Sequence, residues 1–109
     1  MDDRELLEYA AKAVGGLVYI PEHGWIHEDA NGDRGAWWDP LIDDGDAFQL
    51  AVKLRLQITP GTYNKDEFTA YYAGRAEAGE WLSALQDQYA ATRRAIVRAA
   101  AAIGKGNEG

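Results

Sequence analysis

Apolar positions along the chain switch between two periods, and the switches mark its elements. Leu7, Ala10, Ala11 and Val14 recur three and four residues apart, the spacing of one buried helical face. Asp2 or Asp3 suits the N-cap of that helix, and Gly15-Gly16 ends it. Leu17-Val18-Tyr19-Ile20 then reads as a strand stopped by Pro21, with a tight turn at His23-Gly24 and a returning strand at Trp25-Ile26-His27. Asp29 to Gly35 is a polar loop with Asn-Gly turn chemistry, and Trp37-Trp38 forms a short extended piece before Pro40. Helical period returns at Ala47, Leu50, Ala51 and Leu54, with Asp43 or Asp44 as N-cap and further acid in the first turn. Leu41 is placed to staple Phe48 at that helix start.

Beyond Leu54 the alternation of Arg55-Leu56-Gln57-Ile58-Thr59 predicts a half-buried strand, broken by Pro60-Gly61. Phe68 to Ala73 has the β-branched and aromatic content of another strand. Gly74 to Gly79 reads as a connection. A last helix is predicted from the Trp81–Leu85 region to Ile103, with Tyr89, Ile96, Ala100 and Ile103 on one face. The order is helix, two strands, helix, two strands, helix. It predicts an α+β fold with an antiparallel sheet of about four strands and three helices packed on it, as a single domain over residues 1–104 with a frayed tail at 105–109.

Three runs carry a resemblance. Trp38-Asp39-Pro40-Leu41-Ile42-Asp43-Asp44-Gly45-Asp46-Ala47, with Leu50 to Lys53-Leu54 after it, resembles the signature of the phage ABA sandwich domain family of small phage and prophage proteins. Asp3 to Ala13 resembles that family's opening helix, and Ala91 to Ala101 its closing helix. The family has Asn where Asp39 stands and Thr where Ile42 stands. The resemblance implies a phage or prophage origin, a bacterial host cell and a sheet-and-helix sandwich. It implies no activity.

Composition narrows the classes. The 109 residues fit one core, and 47% hydrophobic content is that of a globular chain. There is no Cys, hence no disulfide, thiolate metal site or cysteine nucleophile, which fits a reducing cytoplasm. No run reaches membrane-span length, and the N-terminus is acidic and helical where a signal peptide would be basic then apolar. The net charge of −7 is lopsided: residues 1–46 carry −9 and residues 47–109 carry +2. An acidic chain is a poor phosphate-backbone binder, and Arg93, Arg94 and Arg98 on one helix read first as a solvated face.

Candidate chemistry is sparse. Asp29-x-Asn31-x-Asp33 has the oxygen spacing that opens a calcium loop, but Arg34 stands at the sharp-turn glycine and Pro40 at the bidentate Glu. His23 and His27, bracketed by Glu22 and Glu28, have zinc-compatible donors without a third fixed ligand. Asp43, Asp44 and Asp46 suit magnesium or acid–base work, yet a helix cap explains them without chemistry. No catalytic residue and no cofactor is assigned. Trp37 and Trp38 on an extended piece face opposite ways, as do Tyr71 and Tyr72, so one of each pair is core and the other an interface candidate. Trp37, Trp38, Tyr72 and the acids Asp43, Asp44 and Asp46 are the interaction candidates. The expected role is a protein–protein module acting on a host factor, such as a defence or nucleic-acid enzyme. A virion assembly role and a metal-dependent enzyme are the alternatives. Short hairpin strands leave edges that a homodimer would cover.

Overall fold

A computed structural model describes residues 2–59, 67–72, 75–81 and 88–106, with the side chains at 59, 67–72, 75–81 and 88 outside that description. The fold is α+β. Among the described residues, three helices, α1 (Asp3–Val14), α2 (Asp44–Lys53) and α3 (Gln88–Gly106), combine with six strands. Strands β1 (Leu17–Ile20), β2 (Gly24–Glu28) and β3 (Arg34–Trp38) form one antiparallel sheet in that order, and β4 (Gln57–Thr59), β5 (Glu67–Tyr72) and β6 (Arg75–Trp81) form another.

The strand count exceeds the expected four for two reasons. Trp37-Trp38 is the end of a five-residue strand, because β3 continues back to Arg34, which pairs with Glu28 across a register shift in β2. The stretch expected to be a connection is β6, held along β5 from Arg75 opposite Tyr72 to Trp81 opposite Glu67. Its Ala and Glu content is poor strand material, so tertiary pairing overrides local propensity there. Lys105 and Gly106 belong to α3, while residues 107–109 lie outside the described residues.

Both early helices are capped as their sequences require. The Asp2 carboxylate accepts from Glu5 N–H at 2.9 Å, and Asp43 accepts from Asp46 N–H at 2.8 Å. Gly15 closes α1 with φ +75, a left-handed conformation that a side chain would strain. Helix α1 buries Leu6, Ala10 and Ala11, and α2 buries Ala47, Leu50 and Ala51. These meet Trp38 of β3 and Ile96, Val97, Ala100 and Ala101 of α3, with Leu17 and Trp25 packed against the edge.

Helix α3 is enclosed far beyond one face. Ala91, Ala95, Ile96, Val97, Ala99, Ala100 and Ala101 are all buried, while Tyr89, expected on the buried stripe, is 62% exposed. The helix is surrounded: α1 and α2 lie against it, as do β5 and β6. Small residues suit that position because the neighbouring backbones come close. At Gly104 an added methyl would overlap the carbonyl of Tyr9 and crowd Ala13 N at 3.2 Å. Near the start of the pair, Arg94 meets Asp3 at 2.9 Å, so α1 and α3 run side by side in the same direction.

Helix propensity alone makes Gly104→Ala stabilising by about 1 kcal/mol. The close approach reverses the sign, because two backbones must separate to admit the methyl. Urea unfolding is expected to show Gly104→Ala less stable than the parent by about 2 kcal/mol, and a gain in stability would show that the helices are not locked here.

Candidate functional site

An open apolar groove lies between α2 and α3. The buried face of α2 turns inward, and Phe48 and Val52, on another face of that helix, remain 68% and 58% exposed. They line a groove of about 700 Å³ together with Tyr89 of α3. Ile96 and Ile58 add apolar wall, Asp44 and Arg93 close one stretch of the rim, and Arg55 lies at the turn after α2. The expected staple from Leu41 to Phe48 differs from this arrangement: Leu41 packs on the main core while Phe48 points away from it. Ala47 and Leu50 take the inward positions instead.

A polar network fixes the start of α2 beside this groove. Asp39 N–H donates to the Asp46 carboxylate at 2.9 Å, and Leu41 N–H donates to the Asp39 carboxylate at 3.0 Å. The Arg93 side chain, only 16% exposed, reaches across from α3. Its Nε donates to the Leu41 carbonyl at 2.9 Å and its Nη1 to Asp44 at 2.6 Å. All three acids singled out in the sequence therefore have internal work. Asp43 caps, Asp46 holds the preceding loop, and Asp44 receives the α3 arginine. Asp39 is not among the site residues expected from the sequence, yet its pKa is displaced. Burial raises it, the Leu41 N–H opposes the rise, and the Asp46 and Asp3 carboxylates add to it.

The other sequence candidates are dispersed. The Asp29 carboxylate accepts from Asn31 N–H and Asp33 N–H, each at 2.9 Å, so it closes its own loop. His23 lies beside the ring of Trp37 at 5.8 Å. His27 pairs with Leu17, next to the strand positions of Trp25 and Trp38 that face the core. Trp37 and Trp38 point to opposite faces, so the two imidazoles lie on opposite sides of the sheet. Among the described residues, no group of three or more His, Asp or Glu side chains is gathered as a metal-binding set. Trp38 is 4% exposed and belongs to the core, whereas Trp37 is 53% exposed. Tyr72 lies in β5, and its side chain is outside the described residues. Arg93 and Arg94 are both engaged with acids of the same chain. Among the described residues, no helix is long and apolar enough to cross a membrane.

Comparison of the chain with protein-family models, curated proteins and solved structures finds no match.

Two measurements check this network. Replacing Arg93 by Ala loses both the Leu41 and Asp44 contacts, whereas Asp44→Ala loses one contact of a 72% exposed carboxylate. Urea unfolding is expected to show a loss of about 2 kcal/mol for the first and under about 1 kcal/mol for the second. Asp39 supplies a pH test. Its folded pKa lies above the unfolded value, so the ionised carboxylate costs stability at neutral pH. That cost disappears as pH falls through the folded pKa towards 3.8. Asp39→Asn, which keeps an acceptor for Leu41 N–H, is expected to be more stable than the parent at pH 7. The advantage should shrink as the pH approaches 3.8, and a pH-independent difference would show that ionisation is not its source.

Proposed function

We propose that the chain is a protein–protein interaction module whose contact surface is the groove between α2 and α3. One observation carries this reading: Phe48, Val52 and Tyr89, three large apolar side chains, stand exposed around a single concavity of about 700 Å³. Leaving such side chains in water sacrifices roughly 1.5–3 kcal/mol each relative to burial. Clustered exposure of this kind marks a surface that another molecule covers. An open groove flanked by two helices suits the apolar face of an amphipathic helix from a partner protein.

The wider setting is part of the same proposal. The resemblance around Trp38–Ala47 implies a phage or prophage origin, and the small size and lopsided acidic charge add to it the reading of an accessory protein working in the host cytoplasm on a host factor. In that setting the groove is the contact and the acids support it. A contact made by Asp43, Asp44 and Asp46 themselves would compete with their roles in capping α2 and joining it to α3. Their reversal would therefore disturb the fold and binding together, whereas Phe48 reports on the surface alone.

The test has two stages. A partner enriched from host lysate on the full chain is purified, and its affinity is measured by calorimetry against the parent and Phe48→Asp. The variant should retain the parent circular dichroism spectrum and lose affinity at least about ten-fold, equivalent to about 1.4 kcal/mol. Equal affinity would place the contact elsewhere. Recovery of phage structural proteins as the groove-dependent partner would assign the module to virion assembly.

A further inference from the structure

The turn that follows α2 holds an arginine where the backbone favours glycine. Leu56 N–H donates to the Ala51 carbonyl at 2.9 Å and Arg55 N–H to the Val52 carbonyl at 3.2 Å. These paired bonds form a Schellman motif, whose C′ residue adopts the left-handed conformation and is usually Gly. Here that residue is Arg55, with φ +55. A non-glycine side chain in this region carries strain.

The strained arginine lines the groove, and among the described residues its guanidinium has no ion-pair or hydrogen-bonding partner. The other groove arginine differs in this respect. Arg93 already donates to the Leu41 carbonyl and to Asp44. Among the described residues, the groove thus has one uncommitted cation, at Arg55, while at its other rim Arg93 is paired with the Asp44 carboxylate. Between them the wall is apolar. An acidic group on an incoming helix is attracted at Arg55 and gains nothing at the other end, where Asp44 and Arg93 neutralise each other, and this sets both its chemistry and its direction.

We propose that Arg55 is the specificity residue of the groove, receiving a carboxylate from a partner protein's helix whose apolar face lies along Phe48 and Val52. This rests on the groove being the contact surface. The planar guanidinium suits bidentate recognition of Asp or Glu, and the left-handed turn projects it from the end of α2. Glycine in its place relieves the strain and removes the recognition, so stability and binding are set in opposition at one residue.

The probe is a displayed library of amphipathic helices sorted against the full chain. Leu, Ile or Phe is fixed at helix-spaced positions, and Glu, Gln or Lys is varied at the two ends of the apolar face. Sorting is repeated on Arg55→Gly, Arg55→Asn, Arg55→Lys and Phe48→Asp. On the parent, Glu at one end is expected to be enriched over Gln about five- to ten-fold. The preference should vanish on the Gly and Asn variants and persist in part on Lys. Arg55→Gly should also raise the melting temperature by about 4 °C. Equal recovery of Glu and Gln on the parent, or an unchanged Glu preference on Arg55→Gly and Arg55→Asn, overturns the role of Arg55. If Phe48→Asp still abolishes binding in that case, the groove reading stands. Binders that fail to distinguish the parent from Phe48→Asp overturn the groove and Arg55 together. A melting temperature lowered by Arg55→Gly overturns the strain argument.

Discussion

The backbone contact between α1 and α3 is the constraint on which the rest of the molecule depends. Gly104 lies against the carbonyl of Tyr9, a separation that excludes even a methyl group. Close packing of this kind gains many small dispersion contacts and leaves no room for adjustment. It explains why the interior of α3 is built from Ala. Ala100 and Ala101 share the main core with Ala10 and Ala11 of α1, while Ala95 and Ala99 form a second small cluster backed by Leu56 and Ile58. Larger residues would push the surrounding elements outward. Once α3 is fixed by α1, the positions available to α2 and to the second sheet follow from it.

The second fixed relation is electrostatic and joins α2 to that centre. A helix start exposes unpaired N–H groups and the positive end of its dipole, and acids satisfy both. Here Asp43 meets the first need, and Asp44 extends the same logic across space by meeting Arg93. The arginine is mostly buried, so its charge requires the carbonyl of Leu41 as well as the carboxylate. The network sets the spacing of α2 and α3, and that spacing is the width of the groove. An acidic run that looks like a surface for a basic partner is in this way a device for positioning a hydrophobic one.

Local patterns carried much of the fold. Asp2, Asp43, Gly15 and the α2 triplet Ala47, Leu50 and Ala51 act as their spacing indicates, and Trp37 and Trp38 part to opposite faces as adjacent strand residues must. Features set by distant partners were not legible. Strand β6 has no propensity of its own and exists because β5 is beside it. The enclosure of α3 depends on elements far apart in the chain, so a one-face reading of Tyr89, Ile96, Ala100 and Ile103 placed an exposed tyrosine in the core. Asp39 was passed over because its displaced pKa comes from burial and from Asp46 and Asp3, none of which a local pattern displays.

The groove was hidden from sequence reading for a more specific reason. An amphipathic helix is read by assigning its apolar stripe to the core, and α2 offers two. Ala47, Leu50 and Ala51 satisfy the period, so Phe48 and Val52 look like spillover at the edge of one stripe. Volume argues the other way: the inner stripe holds two alanines, and the helix's only aromatic side chain is turned to solvent. The tight centre at α3 favours this, because Ala47 and Ala51 on either side of Leu50 let α2 come close to Ile96 and Val97. Phe48 is then displaced outward by the same packing that makes the core. The exposed apolar surface is a consequence of how the centre closes, and Arg55, held at the end of that helix in a conformation glycine would take more easily, adds the only uncommitted positive charge to it among the described residues lining the groove.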